Sequence, residues 1–402
     1  MKKFFKDYDF TLLFAPLLLT AFGVVMVYSA SMVYAVIGEG LSSTHYFKKQ
    51  LTWVSLGLVG FVTMMYFPYQ KLQKLRKLIL LFVIISLLAV QLFGTTVNNA
   101  KSWIDLGLFN FQPSETAKIG LVIFLSAIFA RRQAYMEQFG QAVIGPLIVT
   151  SIVFSLIVFQ PDIGTGAIVL AIAASVFISS GMQMKHVALM GIAGIVTIAF
   201  AAMNMVSVER VSRFTGAYQP FQFPESDGYH LIQSYVAIGT GGLGGEGLGQ
   251  GVQKLGYLLE PHTDFIMAVI AEELGVIGVA IVIGLLALIV LRGFFIARKC
   301  KDAFGSLLAI GISFMIGIQA FINLGAVSGL LPVTGVPLPF VSYGGSSLLV
   351  LLASVGILNN IARQVRSEDY TSIKKTEDVD TTRERTSYTP HYQNRGGKPW
   401  VK

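Results

Sequence analysis

Charge and cysteine are both scarce in this sequence. Only 13% of its 402 residues are charged, against about 25% in soluble domains, whereas 54% are hydrophobic. The single cysteine, Cys300, excludes an internal disulfide framework and a cysteine metal cluster, and the five histidines show no metal-site spacing. The net charge of +8 comes from basic residues in short loops between apolar runs. There is no basic patch interleaved with aromatics, so we expect no nucleic-acid partner.

Long apolar runs dominate the sequence instead. Runs near or beyond 18 residues recur, which is the length that a hydrocarbon core of ~30 Å requires of a helix. We therefore predict an all-α, polytopic integral membrane protein with about ten transmembrane helices. The first apolar run, 10–30, is too long for a signal peptide, and we expect it to be retained. The predicted helices are 10–30, 51–67, 77–94, 115–130, 142–159, 164–181, 187–206, 265–297, 304–330 and 341–362.

The basic residues predict the orientation in the membrane. With the N-terminus inside, most lysines and arginines of the short loops fall on the cytoplasmic side, as the positive-inside rule requires. Both termini are then cytoplasmic, and the large loop at about 207–264, between helices seven and eight, is extracytoplasmic. Residues 364–402 are polar and poor in aliphatics, so we expect a disordered cytoplasmic tail after a membrane domain at 1–363.

Ionisable residues at the predicted outer boundary are candidate functional residues, because charge is costly in a membrane. Glu115 and Lys118 open the fourth predicted helix at a spacing that puts them on one face, where they can pair. Helix-start chemistry alone explains Glu115 but not a lysine just inside the membrane. Trp103 has an equally good interpretation as an interfacial anchor. Asp162 lies in a tight turn, where aspartate is commonly structural.

A second group of polar residues surrounds the start of the eighth predicted helix. Asp264 is placed either to cap this helix or to serve chemistry. At 100° per residue, Glu272 lies about 80° round from Asp264, so we expect these two carboxylates to share a cavity. The glycine-rich run 237–251 lacks the ending of a nucleotide-binding loop, and we expect a mobile loop whose N–H groups approach a diphosphate. Segment 332–347 has three prolines and predicts broken backbone lining the cavity.

Several motifs occur in a fixed order between about residues 98 and 360. They are KSWIDLG, FQPSETAK, QPDIGT, QSYVAIGTGGLGGEGLGQG, HTDFIMAVIAEELG and PLPFVSYGGSS. Together they resemble the SEDS family (shape, elongation, division and sporulation), which comprises the FtsW, RodA and SpoVE proteins. The TGVPLPF sequence and the hydrophilic tail are most similar to the FtsW, or division, branch. The resemblance implies ten helices and a peptidoglycan glycosyltransferase that polymerises lipid II on the outer face of the plasma membrane, at the division septum.

The resemblance also implies a site and its partners. Asp264 would be catalytic, as the general base of an inverting displacement that releases undecaprenyl diphosphate. The implied partners are lipid II, undecaprenyl-diphosphate-linked glycan, a class B penicillin-binding protein (a transpeptidase) and other divisome membrane proteins. No cofactor and no protein metal site is implied, although a divalent cation such as Mg²⁺ or Mn²⁺ could bridge the diphosphate. The expected substrate-binding residues are Lys101, Trp103, Glu115, Lys118, Asp162, Arg213, His262 and Glu272.

Two features depart from the family pattern, and two other functions stay open. Lys101 and Ser102 precede Trp103 where the family commonly has arginine, which keeps the charge but loses bidentate phosphate binding. Segment 216–229 looks individual. The alternatives are a transporter that flips lipid II and a non-catalytic divisome scaffold. The absence of a visible inverted repeat and the grouping of ionisable residues on one side argue against a transporter. A scaffold would not need Asp264.

Overall fold

The computed structural model describes residues 8–97, 100–105, 107, 110–189, 191–192, 194, 208–258 and 260–387, with side chains described except at 97, 100, 208–211 and 368–387. Within these residues the chain is mostly helical. The main helices are α1 (Phe10–Val33), α2 (His45–Tyr66), α3 (Tyr69–Phe93), α4 (Pro113–Arg131), α5 (Ile144–Val158), α6 (Ile163–Ser179), α7 (Val208–Tyr218), α8 (Tyr229–Gly241), α9 (Ile266–Lys299), α10 (Ala303–Val327) and α11 (Gly345–Ser387).

Helices lie at the positions of nine of the ten predicted spans. The predicted seventh span, 187–206, is helical at its described positions up to 194, and the rest of it lies outside the described residues. Among the described helices, six are long and apolar enough to cross a membrane: Phe10–Gly38, Tyr69–Phe93, Pro113–Arg131, Ile266–Lys299, Ala303–Val327 and Gly345–Ser367. α5 and α6 are apolar but shorter. The number of helices that actually cross the membrane stays a prediction.

A small antiparallel sheet, which the prediction of an all-α chain did not include, accompanies the helices. Its strands β1 (Thr95–Val97), β2 (Ala100–Asp105) and β3 (Asn110–Phe111) pair in the order β1-β2-β3. The sheet joins the end of α3 to the start of α4 and carries the KSWIDLG motif. Backbone hydrogen bonds between these short strands satisfy polar groups that would otherwise lie unpaired beside the helices.

Side-chain caps fix the starts of three helices. The Asp9 carboxylate accepts hydrogen bonds from Thr11 N and Leu12 N at the start of α1, and Asp302 caps α10 in the same way. Asp162 caps α6 by accepting from Thr165 N at 3.0 Å. Because a cap satisfies backbone donors that the helix leaves unpaired, these aspartates set where each helix begins.

Burial separates central helices from peripheral ones. In the most apolar stretches of α11 and α4, 83% and 78% of residues are buried, against 28% in α9 and 22% in α3. α11 and α4 are therefore surrounded by other helices, whereas α3 and α9 present apolar side chains outward, as helices facing lipid do. The backbone of α11 is helical to Ser387, and residues 388–402 lie outside the described part. The boundary predicted at residue 363 stays a prediction.

Candidate active site

An irregular segment between α10 and α11 forms one wall of the site. Residues 332–344 contain no helix or strand, which confirms the broken backbone predicted from their prolines and glycines. Ser342 Oγ donates a hydrogen bond to the Thr263 carbonyl at 2.6 Å, and Tyr343 N donates to the His262 carbonyl at 2.9 Å. The segment thus holds the short stretch of chain that precedes α9.

Asn323 on α10 fixes the backbone of Asp264. Its Nδ2 donates to the carbonyl oxygens of Asp264 at 2.9 Å and of Val336 at 2.8 Å. The cap position of α9 is Phe265, and no side chain makes a cap hydrogen bond there. Asp264 therefore does not cap the helix, and its side chain lines open space instead.

Two cavities meet at Asp264. The larger cavity has a volume of about 760 Å³ and the smaller about 430 Å³. Four residues line both of them: Arg213, Glu260, Asp264 and Gly335. The larger cavity is also lined by aromatic and polar residues that include Tyr34, Glu39, Tyr46, Lys49, Trp53, Trp103, Asp105, Asp162, His262 and Tyr343. The smaller cavity is also lined by Ser212, Ser226, Asp227 and His230.

The protonation of Asp264 is poised near neutrality. Burial raises the pKa of its carboxyl to about 7, the nearby Glu260 carboxylate also raises it, and the Arg213 guanidinium opposes both. A carboxyl with such a pKa exchanges a proton readily at physiological pH, as a general base must. Burial likewise raises the pKa of Asp162.

His262 is buried in a cluster of aromatic rings. Its ring centroid lies 4.2 Å from that of Tyr46, 5.2 Å from Tyr34 and 5.5 Å from Tyr343. Burial lowers the pKa of the imidazole to about 4, so the side chain is neutral at physiological pH. His262 therefore contributes an aromatic, uncharged surface to the larger cavity. Flat aromatic surfaces of this kind suit the apolar faces of a bound ligand.

The structure brings five of the nine predicted site residues to the cavities. Trp103, Asp162 and His262 line the larger cavity, and Arg213 and Asp264 line both. Asp162 combines this position with its cap of α6, so the structural and functional interpretations of this residue are compatible.

Glu115 and Lys118 pair as predicted but lie behind the cavity wall. The Lys118 ammonium donates to Glu115 Oε1 at 2.7 Å and to Gln319 Oε1 at 2.9 Å, and both charged side chains are buried. The Gln319 amide in turn donates to Ser347 Oγ at 3.0 Å and to the Pro337 carbonyl at 3.3 Å. Ser347 and Pro337 line the larger cavity. The pair therefore supports this wall rather than forming it.

One basic candidate, Lys101, takes another place. The Lys101 ammonium donates to the Gln91 carbonyl at the end of α3, at 2.7 Å, and Lys101 does not line either cavity. Arg210, three residues before Arg213 in the sequence, has a side chain outside the described residues. Among the basic candidates whose side chains the structure describes, Arg213 lies at the cavities, whereas Lys101 and Lys118 do not.

The expectation that Glu272 shares the cavity of Asp264 is corrected. Its carboxylate is buried and accepts hydrogen bonds from Val252 N at 2.7 Å and Gln253 N at 3.1 Å. Glu272 lines neither cavity. The angular argument assumed one helix from Asp264 onward, whereas α9 begins at Ile266.

Part of the glycine-rich run is hydrogen-bonded to α9, which differs from the expected loop with N–H groups free to approach a diphosphate. Glu246 N donates to the Glu272 carbonyl at 2.9 Å, and Gly247 N donates to the Glu273 carbonyl at 3.0 Å. Gly249 N donates to Glu273 Oε2 at 2.9 Å. These N–H groups are occupied within the protein and are not directed at a ligand.

Sequence reasoning missed Glu260, Lys49 and the tyrosines of the larger cavity. Glu260 stands four residues before Asp264, within the EPHTDF stretch, and its spacing was the available signal. Lys49 and Tyr46 come from the first turns of α2, which begins six residues earlier than the predicted span at 51. Their proximity to Asp264 depends on long-range packing.

The described residues contain no group of three or more His, Cys, Asp or Glu side chains arranged to hold a metal ion. A divalent cation bridging the diphosphate of a bound substrate stays a prediction.

These features define a class: a multi-pass membrane protein with apolar helices, in which two cavities meet at a carboxylate of raised pKa, Asp264. The chain belongs to the FtsW, RodA and SpoVE family, described as cell cycle proteins, whose model matches residues 10–367. It is 47% identical over 375 residues to the probable peptidoglycan glycosyltransferase FtsW of Bacillus subtilis (strain 168), covering 91% of this chain and 93% of that protein. It is 37% identical over 361 residues to stage V sporulation protein E of the same organism, covering 89% and 98%.

Solved structures support the same grouping. One match is a chain of a structure described as structural coordination of polymerization and crosslinking by a peptidoglycan synthase complex. Its TM-score is 0.73 at 27% identity, and the match covers 89% of this chain and 98% of that one. The rod shape determining protein RodA of Thermus thermophilus matches with a TM-score of 0.64 and 28% identity, covering 89% and 97%.

Proposed function

We propose that this chain is a peptidoglycan glycosyltransferase of the FtsW type. It polymerises lipid II into glycan strands on the outer face of the cytoplasmic membrane during cell division and releases undecaprenyl diphosphate. The observation that carries the proposal is the position of Asp264, a carboxylate of raised pKa where two cavities meet. A polymerase must bring two lipid-linked sugars to one base, and a junction of two cavities meets that requirement.

The reaction follows from the position of the base. The Asp264 carboxylate takes the proton of the GlcNAc 4-hydroxyl as its oxygen forms a bond to the anomeric carbon of MurNAc. The bond from that carbon to the diphosphate oxygen breaks on the opposite side, so the configuration inverts. Undecaprenyl diphosphate leaves with the bonding electrons. The raised pKa of Asp264 helps, because a more basic carboxylate holds the transferred proton better.

Charge on the leaving diphosphate needs positive partners. Arg213 lines both cavities and Lys49 lines the larger one, so each can approach a phosphate bound there. Fixed cations placed where negative charge develops stabilise a transition state. The aromatic rings around His262 offer flat surfaces for the sugars or peptide.

The membrane arrangement and the partners belong to the same proposal. Ten spans with both termini cytoplasmic would place the loop at 207–264, and with it Asp264, on the outer side. A class B penicillin-binding protein would crosslink the strands made here, and other divisome proteins would bring both enzymes to the septum. The similarity to a chain of a peptidoglycan synthase complex supports this partnership.

A transporter gains no support from the buried carboxylates. A transporter needs coupling carboxylates deep in the membrane, and Glu272 and Glu273 of α9 are buried. However, Glu272 accepts a hydrogen bond from Val252 N and Glu273 accepts one from Gly249 N. Carboxylates held in this way are not open to an alternating cavity.

The test is polymerisation of purified lipid II by the detergent-solubilised protein with its candidate transpeptidase. We expect glycan strands on a gel from wild type and a loss of about 10²- to 10⁴-fold in rate for Asp264→Asn. Glu225→Gln is the matched control, since Glu225 is exposed, lies in the same outer loop and lines neither cavity. Equal amounts of glycan strand from wild type and Asp264→Asn would show that Asp264 is not the base. If wild type makes no glycan strands while a control polymerase is active, the proposed function is rejected and lipid II flipping becomes the function to test.

A further inference from the structure

Glu260 is a carboxylate that the proposed reaction does not use. It precedes Asp264 by four residues and, like Asp264, lines both cavities. Two carboxylates at one junction are unexpected in a site that must hold a diphosphate, because like charges repel the ligand and each other. The presence of Glu260 there needs a reason.

The backbone at Glu260 is held in an unfavourable conformation. Its φ of +47° lies in the left-handed region, where non-glycine residues are uncommon and cost of order 1–3 kcal/mol. A tight turn keeps it there: Thr263 N donates to the Glu260 carbonyl at 3.1 Å, and Thr263 Oγ1 donates to the same oxygen at 3.0 Å. Strain that persists at a cavity is commonly a functional feature.

The same turn orients the Glu260 side chain. Thr263 Oγ1 lies 3.2 Å from Glu260 Oε2, so a residue adjacent to Asp264 contacts both the carbonyl and the carboxylate of Glu260. The carboxylate is therefore fixed relative to Asp264 by a short, local connection. Because its position is fixed, the charge of Glu260 acts on Asp264 through space, and no movement of the helices is needed.

We propose that Glu260 is a positioning residue whose fixed negative charge keeps Asp264 basic enough to accept the hydroxyl proton. The proposal rests on the role of Asp264 as the base in the proposed function. Glu260 acts through Asp264 and need not touch substrate. The effect of this charge on the pKa of Asp264 is upward, in the same direction as burial and against Arg213.

Other charged and titratable groups also line the two cavities and contribute to the electrostatic environment of Asp264. On the smaller-cavity side Asp227 and His230 line the wall, and burial lowers the pKa of His230. The groups on the larger-cavity side are Tyr34, Glu39, Tyr46, Lys49, Asp105, Asp162, His262 and Tyr343. Glu260 and Arg213 differ from these in lining both cavities together with Asp264.

The direct test is the protonation of Asp264 itself, followed in the full-length protein in detergent. A carbodiimide reacts with protonated carboxyls, and peptide mass spectrometry reports the labelling of Asp264 across pH, with exposed Glu225 as a reference for the reagent. Two variants remove the charge: Glu260→Gln keeps the backbone strain and Glu260→Gly relieves it, since glycine accepts a positive φ. Glu260→Asp keeps the charge.

We expect the Asp264 labelling midpoint to move to lower pH by ~0.5–1 unit in both Glu260→Gln and Glu260→Gly, and to stay near wild type in Glu260→Asp. Well below the midpoint, the ionised fraction of Asp264 should rise ~3- to 10-fold. An unchanged midpoint in both charge-removing variants would overturn the proposal. So would a shift in Glu260→Gly alone, which would point to the backbone rather than the charge.

Polymerisation measured in parallel separates the two proposals. A shifted labelling midpoint with a matching shift in the acid limb of kcat/KM supports both. A shifted labelling midpoint in a wild-type protein that makes no polymer, beside an active control polymerase, would reject the proposed function while the influence of Glu260 on Asp264 stands. A normal pH profile and an unshifted labelling midpoint in Glu260→Gln would keep the polymerase and reject the role of Glu260.

Discussion

The Lys254 ammonium group and the Glu273 carboxylate form an ion pair from which solvent is excluded on both sides. Ser29 on α1 completes the cluster, because its hydroxyl donates to Glu273 at 2.8 Å and the Lys254 ammonium contacts it at 2.9 Å. The cluster thereby joins α1, α9 and the segment that follows the glycine-rich run. Neither charge is visible as a partner of the other in the sequence, where they are 19 residues apart.

Removing one charge of this pair should be more harmful than removing both. Glu273→Gln leaves the Lys254 ammonium buried without a counter-charge, which costs about 3–5 kcal/mol, whereas the double variant Lys254→Met with Glu273→Gln leaves no charge behind. We expect the single variant to have the lower thermal unfolding temperature in detergent. A double variant less stable than the single one would contradict this account and assign the stability to the remaining contact of Lys254, its hydrogen bond to Ser29.

A break in α9 makes room for the glycine-rich run. Gly275 has φ of +62° and ψ of −163°, and beyond it Val276 N donates to the Gly242 carbonyl at 3.0 Å instead of to the preceding turn. A Cβ on Gly275 would lie 2.5 Å from Gly245 N and from the Leu243 carbonyl oxygen. Both the conformation and the close approach require glycine.

Gly275→Ala should therefore destabilise the protein by roughly 2–4 kcal/mol, since alanine is strained at positive φ and the neighbouring atoms are backbone. Gly284→Ala is the matched control on the same helix, because a Cβ there meets nothing within 4 Å. Unfolding temperatures of the two purified variants give the comparison. Similar unfolding temperatures would show that the glycine-rich run can move away from Gly275 without loss of stability. That result would contradict the close packing of this run against α9.

The Glu115, Lys118 and Gln319 network makes a separate prediction about activity. Lys118→Met leaves the buried Glu115 carboxylate without its cation and removes a hydrogen bond to Gln319, which holds Pro337 and Ser347 at the cavity wall. We expect polymerisation to fall by ~10-fold or more, as misplacement by ~1 Å can.

The double variant Glu115→Gln with Lys118→Met keeps the site neutral and serves as the control for charge burial. If it regains stability but not activity, the network acts by positioning the wall. If the double variant regains both stability and activity, the network serves only to compensate buried charge.

The helices were predictable because the apolar runs are long, and burial of apolar side chains in lipid imposes that length directly. The place of Asp264 in the site was also predictable, from the HTDF stretch and the family resemblance, and its catalytic role stays a prediction. The positions of α2 and α3 were less so: both helices begin six to eight residues before the predicted spans, since their polar first turns carry no apolar signal.

The partners of the carboxylates could not be predicted. Glu272 is bound to amides of residues 252 and 253, and Lys118 is bound to Gln319, 201 residues away. Such contacts depend on how the helices pack and leave no periodicity in the sequence. The position of Glu260 at the cavities was also not predictable. The turn that orients Glu260 is local, but the cavities there are completed by Arg213 on α7, which is far away in the sequence.

The pH dependence of polymerisation should identify the base. The pKa of Asp264 is about 7, so kcat/KM should rise with pH through a single ionisation near neutrality, as the carboxylate form accumulates. A midpoint near 7 would ordinarily be assigned to a histidine. However, burial lowers the pKa of His262 to about 4, so its ionisation falls outside that range. In His262→Gln the acid limb should keep its midpoint, whatever the maximal rate, whereas a limb that disappears in this variant would make the imidazole the titrating base and leave Asp264 a supporting role.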